Sequence, residues 1–264
     1  MDMDLKNKTA LVTGSTRGIG KAIAIELAKE GVHVLINGRN DEEVERTVNE
    51  IELEFPDSFP QNATADIVDK QQREALFKKH PQIDILVNNV GIYEMMKYED
   101  VDDEVWEKYI RTNVLAANGL SKFYLPKMIN NNFGRMIFIA SEEAVMPSGQ
   151  MPQYCITKSM LLSLSKSLSK LTIGKEVTIN TILPGPSLSE NVHHIIEGMY
   201  PNEDMTFSVK EKEFMTQNLP HSELQRFIKP AEIGRLTTFI CSPYASAFKG
   251  SPIRMDGGMV PTIF

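Results

Sequence analysis

The sequence predicts an α/β fold in which a mostly parallel, doubly wound sheet is covered by helices on both faces. Short apolar runs, typical of buried strands, alternate along the chain with segments whose apolar residues recur at helical spacing. This strict alternation indicates βαβ units with right-handed crossovers. No internal repeat, low-complexity tract or linker interrupts the alternation, so we expect a single domain over residues 1–264.

Each element is placed from its own pattern. The predicted strands cover residues 9–12, 32–37, 63–64, 83–88, 135–140, 177–183 and 252–255. The predicted helices cover residues 18–29, 41–54, 68–79, 101–129, 154–171 and 231–241. The first helix should end at Gly31, because glycine suits the conformation that follows a helix. The long helix contains Asn113, whose amide competes with the helical backbone, so we expect a kink or a bound water there.

The bulk composition excludes several classes of protein. A hydrophobic fraction of 42% is ordinary for a globular chain that buries a sizeable core. The formal net charge of -7 argues against nucleic acid or an anionic membrane surface as a partner. The sequence contains no apolar run of membrane-spanning length and no signal peptide, so we expect a cytoplasmic protein. Cys155 and Cys241 lack metal-ligand spacing, which predicts buried free thiols and no metal site.

A glycine-rich turn joins the first predicted strand to the first predicted helix. It consists of Gly14, Ser15, Thr16, Arg17, Gly18, Ile19 and Gly20. Glycine lets the backbone approach a pyrophosphate, and a helix N-terminus offers free N–H groups and the positive end of a dipole. The turn therefore predicts a Rossmann-type dinucleotide site. Its spacing differs from G-x-G-x-x-G, and a plain tight turn is the alternative interpretation of this segment alone.

The end of the second predicted strand bears on the choice of cofactor. A carboxylate there would accept hydrogen bonds from the ribose 2′-hydroxyl of NAD, but positions 37–39 contain none. Arg39 offers a planar guanidinium suited to a phosphate, and Arg17 could supply a second positive charge. Both favour NADP(H), with NAD(H) as the alternative cofactor. Two solvated surface arginines would have the same pattern, and Asp41 slightly weakens the case for NADP.

Three polar residues predict proton chemistry at the sheet edge. Tyr154 and Lys158 lie four residues apart on one face of a predicted helix. A nearby ammonium favours the phenolate, so the pair is suited to proton exchange with a substrate oxygen near neutral pH. Ser141 follows the strand over 135–140, at the edge where open α/β sheets bind ligands, and could hold that oxygen. Without the glycine turn, three structural residues would be the better interpretation.

Together these features resemble the short-chain dehydrogenase/reductase family in its shorter form of about 250 residues. The resemblance covers nearly the whole chain. It rests on the turn over 13–20, Asp66 with Ile67, the segment 88–91, Asn113, Ser141, Tyr154 with Lys158, Pro184 with Gly185, and the segment 256–258. It implies a seven-stranded parallel sheet, a nicotinamide cofactor, a small carbonyl or alcohol substrate and a homo-oligomer, commonly a tetramer, with a dimer as the alternative.

The resemblance also assigns roles to individual residues. Tyr154 would be the general acid/base, while Lys158 would hold the nicotinamide ribose and tune the tyrosine. Ser141 would orient the substrate carbonyl, and Asn113 would support a proton-relay water. Asp66 and Ile67 would lie at the adenine, and Asn89 and Gly91 towards the nicotinamide. The full implied set of cofactor contacts is Gly14, Ser15, Thr16, Arg17, Gly18, Ile19, Gly20, Arg39, Asp66, Ile67, Asn89, Gly91, Tyr154, Lys158, Pro184, Gly185 and Ser189.

Several positions depart from the family pattern. Val90 stands where alanine is usual, and Ser189 where threonine is usual. Glu142 and Glu143 follow Ser141, where small or polar residues are commoner. Two carboxylates would disfavour anionic substrates if they faced the site, although both could equally be solvated.

Residues 186–221 form an unusually long connection that contains several prolines and methionines. Long connections in compact domains are often functional, so we expect a mobile lid over the substrate. Met199, Met205, Phe207 and Met215 could offer it an adaptable apolar surface. The alternative is a pair of short helices that cover the sheet edge or a subunit contact, with those side chains buried.

The sequence thus predicts an NADP-preferring oxidoreductase that interconverts a carbonyl and a secondary alcohol. One alternative is a 3-oxoacyl-carrier-protein reductase, although a net charge of -7 makes an acidic carrier protein a less natural partner without a local basic patch. Another is a catalytically idle NADP-binding sensor or scaffold. The complete set of polar residues argues against this second alternative, because a binding module does not need Asn113, Ser141, Tyr154 and Lys158.

Overall fold

The computed structural model describes residues 2–201 and 204–263, in which parallel strands alternate with helices. The strands are β1 Thr9–Val12, β2 His33–Ile36, β3 Gln61–Asn62, β4 Ile85–Asn88, β5 Gly134–Ile139, β6 Val177–Pro184 and β7 Pro252–Met255. The helices are α1 Gly18–Lys29, α2 Asp41–Glu54, α3 Lys70–Lys79, α4 Asp103–Tyr109, α5 Ala116–Asn130, α6 Pro152–Ser169, α7 Glu190–Met199, α8 Phe207–Asn218 and α9 Pro230–Cys241.

The seven strands form one sheet in the order β3-β2-β1-β4-β5-β6-β7, and every neighbouring pair is parallel. The direction of winding reverses between β1 and β4. A doubly wound sheet opens a crevice beyond the carboxyl ends of its strands at such a reversal. The predicted fold class is confirmed, and the reversal places the glycine turn after β1 at that crevice.

Alternate residues of each central strand enter two different cores. Ala10 and Val12 pack with apolar residues of α1, α2 and α9 on one face of the sheet. Leu11 packs with residues of α3, α5 and α6 on the other face. Because β4, β5 and β6 are buried along their whole length, polar groups that meet a ligand must lie beyond the ends of these strands.

The third strand differs from its prediction. It pairs Gln61 and Asn62 with β2, whereas apolar patterning predicts residues 63–64. The chain continues beside β2, but the buried Asn37 side chain donates from Nδ2 to the carbonyl oxygens of Ala63 and Ala65, at 2.9 and 3.1 Å. A side chain therefore replaces part of the expected backbone ladder.

The long helix predicted over 101–129 is interrupted at its middle. A π-helical turn at Ile110–Leu115 separates α4 from α5, and Asn113 lies within it. This turn agrees with the local distortion expected at that asparagine, because π turns form where the regular helical ladder is broken. The other predicted boundaries lie within two residues of the observed ones.

The predicted lid segment contains two helices rather than an irregular loop. Residues 202–203 lie outside the described residues. Helices α7 and α8 share a small apolar core of their own, with Ile196, Met215 and Phe227 buried at its centre. The expectation of an apolar surface is wrong for Met215, which is fully buried, while Phe207 stacks on His193 at 4.1 Å between ring centroids. Two helices agree with the alternative interpretation of this segment, and their packing removes these apolar side chains from water.

The segment before α7 and the segment after α8 are hydrogen-bonded to each other. The amide N–H of Leu188 donates to the Ile228 oxygen, and the Ile228 N–H donates to the Pro186 oxygen, both at 2.9 Å. Arg226 then makes a bidentate contact to Glu232 of α9, with two N···O distances of 2.8 Å. The segment after α8 also reaches the end of β7, since the Leu224 N–H donates to the Gly257 oxygen at 2.9 Å. Helices α7 and α8 are thus connected to the sheet through the two segments that flank them.

Two findings concern the thiols and membranes. Cys155 and Cys241 are free and buried, as expected from their spacing. Within residues 2–201 and 204–263, no helix has the length and hydrophobicity needed to cross a membrane.

Candidate active site

The glycine turn after β1 has a backbone that only glycine adopts easily. Gly14 and Gly18 have φ angles of 63° and 56°. A Cβ at Gly20 would lie 2.2 Å from the Gly14 oxygen, so the first turn of α1 packs directly on the turn's backbone. The three glycines therefore let the chain enter the helix without a projecting side chain.

The N-terminus of α1 is suited to an anion. Arg17 occupies the N-cap position without a side-chain hydrogen bond to the helix, and the first turn contains no acidic residue. A Cβ at Gly18 would meet no atom within 4 Å. Free N–H groups, the positive end of the helix dipole and open space fit the pyrophosphate of a dinucleotide. The Ser15 hydroxyl holds the turn against the end of β2, since its Oγ accepts the Asn37 N–H at 2.9 Å.

Gly38, two residues after β2, leaves little room for a side chain. A Cβ at Gly38 would lie 2.8 Å from Thr16 Cγ2 and 3.1 Å from Val44 Cγ2. The next side chain, Arg39, is exposed, and its guanidinium has no hydrogen bond or ion pair within the described residues. The Asp41 carboxylate accepts hydrogen bonds from the side chains of Asn62 and Thr64. These hydrogen bonds lower the pKa of Asp41.

The segment after β3 lies beside the end of β2. The N–H of Ala65 donates to the Gly38 oxygen at 3.0 Å, which brings Asp66 and Ile67 to the edge where an adenine would lie. The Asp66 carboxylate accepts the Val68 N–H at 2.9 Å. The Ile67 side chain belongs to the core beneath the sheet, so a ligand contact at this position would come from the main chain.

A single hydroxyl joins the ends of β1 and β4. Thr13 Oγ donates to the Val87 oxygen at 3.1 Å and accepts the N–H groups of Asn89 and Val90, at 2.9 and 3.1 Å. The Asn89 side chain adds hydrogen bonds from Nδ2 to the oxygens of Thr13 and Gly14, at 2.9 and 3.3 Å. Asn89 thus holds the glycine turn in place instead of offering its side-chain nitrogen to a ligand.

Three predicted site residues converge after β4. A Cβ at Gly91 would be 3.2 Å from Lys158 Nζ and 3.5 Å from Asn113 Oδ1. The Asn113 amide is fully buried, and its Nδ2 donates to the Ile92 oxygen and to Thr157 Oγ, at 3.1 and 3.0 Å. Its Oδ1 accepts the Ile92 N–H at 2.8 Å. Both amide hydrogens are therefore engaged with protein, and the π turn fixes the loop after β4 against α6.

Lys158 is a buried ammonium directed at the end of β5. Its Nζ donates to the Ile139 oxygen at 2.8 Å and lies 5.5 Å from the centroid of the Tyr154 ring. Burial lowers the pKa of Lys158 to about 8, because loss of water disfavours the charged form.

The environment of Tyr154 favours the neutral phenol. Burial raises the pKa of Tyr154, the nearby carboxylates of Glu142 and Glu143 raise it further, and a hydrogen bond with Ser141 opposes the increase. The sequence-based expectation that Lys158 would favour the phenolate is therefore not the dominant effect in this geometry. The Tyr93 ring lies 6.0 Å away, between centroids, on the loop after β4.

Ser141 and the two glutamates form a closely bonded group. Ser141 Oγ donates to Glu142 Oε2 at 2.6 Å and accepts the Glu143 N–H at 3.2 Å. Glu142 is buried, and this burial raises the pKa of its carboxyl to about 7. Glu143 instead accepts the Ser148 N–H and the Cys155 thiol, at 2.8 and 2.9 Å. Of the two carboxylates, only Glu142 contacts Ser141 through its side chain.

The last predicted contacts lie after β6. Pro184 ends that strand, and a Cβ at Gly185 would be 2.6 Å from the Asp256 oxygen, so this position must be glycine. The Ser189 hydroxyl caps α7 by accepting the Val192 N–H at 3.2 Å. Its side chain is therefore engaged by the first turn of α7.

The structure identifies supporting residues that sequence patterns do not single out. Thr13, Asn37 and Thr157 hold the glycine turn, the end of β2 and the Asn113 amide. Polar residues at positions expected to be buried were the available signal, because a buried polar group needs partners. The structure brings Gly91, Asn113, Ser141, Tyr154 and Lys158 together, whereas Asp66 and Arg39 lie at the β2 side of the crevice.

Comparison with known proteins agrees with this arrangement. A sequence profile described as short chain dehydrogenase matches residues 8–199. An uncharacterized oxidoreductase, YvaG, of Bacillus subtilis (strain 168) is 44% identical over 264 residues, which cover 100% of each chain. A 3-oxoacyl-[acyl-carrier-protein] reductase of Rickettsia felis is 31% identical over 260 residues, covering 98% of this chain and 99% of that protein.

A similar solved structure is the L-sorbose reductase from Gluconobacter frateurii complexed with NADPH and L-sorbose. Its TM-score is 0.91 and its sequence identity 29%, and the match covers 100% of both chains. The similarity therefore extends over the whole chain, including the sheet and its helices.

We expect Thr13→Val to lower the free energy of unfolding by about 1–3 kcal/mol, because two N–H donors lose their acceptor while the shape is kept. Thr178→Val is the matched control, since that buried hydroxyl has no hydrogen-bond partner among the described residues. Urea unfolding of both variants measures the difference. Equal losses in the free energy of unfolding would mean that valine itself causes the effect. They would contradict the proposed role of the Thr13 hydroxyl in joining β1 to β4.

Proposed function

Because the chain belongs to the short-chain dehydrogenase/reductase family, and is a nicotinamide-dependent oxidoreductase of a small molecule, we propose that it prefers NADP(H) and interconverts a carbonyl with a secondary alcohol. The observation that carries this proposal is the convergence of Ser141, Tyr154 and Lys158 beside an uncapped, glycine-lined helix N-terminus. A proton donor and a dinucleotide cradle then meet at one strand edge.

In the proposed reaction Tyr154 moves the proton. A nicotinamide, when bound, exchanges a hydride with the substrate carbon. During reduction the Tyr154 hydroxyl gives its proton to the substrate oxygen, and the raised pKa of Tyr154 keeps that proton available near neutral pH. During oxidation the same group accepts the proton. Lys158 supports the ring from one side, and Ser141 holds the oxygen from another.

The cofactor preference rests on the end of β2. Gly38 is too closely packed against Thr16 to be replaced by an acidic side chain, and the exposed Arg39 lacks a protein partner among the described residues. A guanidinium so placed is suited to the 2′-phosphate that distinguishes NADP from NAD.

The site's charge favours an uncharged substrate. Glu143, joined by Glu142 when that carboxyl is ionised, places negative charge beside Ser141 and would repel an anionic compound close to the reacting oxygen. A 3-oxoacyl-carrier-protein reductase is the second candidate, favoured by relatives of that name at 31% identity. Turnover of L-sorbose, 2,3-butanedione and a 3-oxoacyl thioester with NADPH would distinguish the two. A total lack of turnover would favour the idle binding protein.

A single catalytic domain, a homo-oligomer and a cytoplasmic location stay predictions. The lid over residues 186–221 also stays a prediction, and we propose that α7 and α8 move as one body. Their shared core and the Lys210–Glu197 ion pair join the two helices, whereas backbone hydrogen bonds to the rest of the fold come from the flanking segments, at Pro186, Leu188 and Leu224.

We expect Tyr154→Phe to keep cofactor binding and to lose roughly 10²–10⁴-fold in turnover, because the ring still packs but the transferable proton is gone. Tyr93→Phe is the control, since the Tyr93 hydroxyl has no hydrogen bond within the described residues. Steady-state turnover and cofactor titration measure the two effects. Turnover near that of the natural enzyme in Tyr154→Phe would contradict the assignment.

We expect Arg39→Ala to weaken NADPH binding by roughly 1–3 kcal/mol and to leave NADH binding nearly unchanged, because only NADPH carries the 2′-phosphate. Arg46→Ala removes the same charge from an exposed position on α2 and should affect neither. Fluorescence titration of both cofactors measures the change. If the natural protein binds NADH as tightly as NADPH, the preference is wrong.

We expect the amides of α7 and α8 to exchange hydrogen faster than those of α6 in the free protein, because fewer contacts hold them to the sheet. Cofactor and substrate together should slow this exchange. Hydrogen exchange followed by mass spectrometry measures it, with α6 as internal reference. Equal protection with and without ligands would identify a fixed element and move substrate specificity to residues 142–153.

A further inference from the structure

Glu142 is a buried carboxyl placed on the hydroxyl that the proposed reaction uses. Its Oε2 lies 2.6 Å from Ser141 Oγ, which is in the range of a hydrogen bond to a charged carboxylate. Only 8% of the residue is exposed, so water competes little for this contact. The Ser141 Oγ also accepts the Glu143 N–H at 3.2 Å, which fixes the serine at the start of the short helical turn Glu142–Ala144.

The hydrogen-bonding capacity of serine makes this contact consequential. A hydroxyl has one proton to donate and two lone pairs to accept with. When Glu142 is ionised, the serine proton is committed to Glu142, and one lone pair is committed to the Glu143 N–H. Ser141 then faces the substrate oxygen only as an acceptor.

Protonation of Glu142 reverses this direction. The carboxyl proton is then donated to Ser141 Oγ, which fills the second lone pair, and the serine proton becomes free to point elsewhere. A carbonyl oxygen needs a donor, whereas the hydroxyl of an alcohol can be held by an acceptor. The two protonation states of Glu142 therefore suit the two sides of a carbonyl–alcohol reaction.

We propose that Glu142 is a positioning residue whose carboxyl sets whether Ser141 donates to, or accepts from, the reacting oxygen of the substrate. This inference rests on the proposed function, in which Ser141 holds that oxygen and Tyr154 exchanges its proton. Glu142 transfers no proton to the substrate in this scheme. It acts through Ser141, and protons return to it from solvent.

The surroundings of Glu142 place its titration in the working range of an enzyme. Burial raises the pKa of Glu142 to about 7, the charge of Glu143 raises it further, and the bond with Ser141 opposes the increase. Three titratable groups of α6 lie near the turn. The raised pKa of Tyr154 keeps its phenol neutral, the Cys155 thiol donates a hydrogen bond to Glu143, and the Lys158 ammonium donates one to the Ile139 oxygen.

Strand β6 also packs against the turn, and it has no ionisable side chain. Glu142 therefore keeps its proton below about pH 7 and loses it above. The donor state of Ser141, which suits carbonyl reduction, is present at lower pH.

The test compares the pH profiles of the natural enzyme and Glu142→Gln, which keeps the shape of the side chain but does not titrate. The KM for 2,3-butanedione, with NADPH saturating, is measured between pH 6 and pH 8. We expect the natural enzyme to lose about tenfold in affinity across this range, because one pH unit beyond a pKa leaves about a tenth of the group protonated. Glu142→Gln should change less than about twofold.

Glu143→Gln is the matched control. It removes the same charge from the neighbouring residue but keeps the Glu142 carboxyl, so its profile should retain the change in KM, displaced to lower pH. Infrared difference spectra of the natural enzyme against Glu142→Gln provide a readout without turnover. A protonated-carboxyl band should be present at pH 6 and absent at pH 8.

Identical KM profiles in the natural enzyme and Glu142→Gln, or no carboxyl band at pH 6, would overturn the inference and leave the proposed function intact. If Tyr154→Phe loses turnover while the two KM profiles are identical, the proposed function holds and only the role of Glu142 is wrong. If the natural enzyme reduces no carbonyl compound at all, the proposed function fails and this inference fails with it.

Discussion

Burial of both faces of a parallel sheet is the constraint on which the other features of this protein depend. Alternate residues of the central strands enter separate cores, as Leu11 and its neighbours Ala10 and Val12 do, and the side chains of β4, β5 and β6 are all buried. Polar chemistry is confined to the ends of the strands. The winding reverses between β1 and β4, which leaves space beyond the carboxyl ends, and the glycine turn, Asn113, Ser141 and Tyr154 collect there.

The same burial sets the charges at this edge. Removal of water lowers the pKa of the Lys158 ammonium to about 8 and raises that of the Glu142 carboxyl to about 7. Both groups therefore have pKa values close to neutral pH. The pKa of Tyr154 is raised instead, so its phenol stays protonated. Groups with such shifted pKa values are typical of sites that exchange protons. Their backbone and hydroxyl partners fix them in place, since the Ile139 oxygen holds Lys158 and Ser141 holds Glu142.

The helical pair α7–α8 is built differently from the rest of the chain. Its apolar residues form a separate small core around Ile196, Met215 and Phe227, outside the two cores of the sheet. It joins the sheet through the contacts of Pro186 and Leu188 with Ile228. Such an element can have a local stability of its own, independent of the sheet. Ser189 caps the first helix of this pair by accepting the Val192 N–H at 3.2 Å.

The set of polar residues at the site was predicted from residue spacing and from the resemblance to a family, and it stays a prediction. Local patterns in the sequence were sufficient to determine the fold class and the boundaries of α1, α2, β1 and β7. These features follow from periodicity and from spacing along one stretch of chain. Hydrogen-bond partners are different, because they join residues distant in sequence. The use of Asn37 in place of a strand ladder, the burial of Met215, and the closing of Thr13 on Val87 appear only when the chain is folded. The direction of the Glu142 carboxyl is likewise decided by tertiary packing, since the sequence allows it to be solvated or buried and only the surrounding α6 and β6 exclude the water.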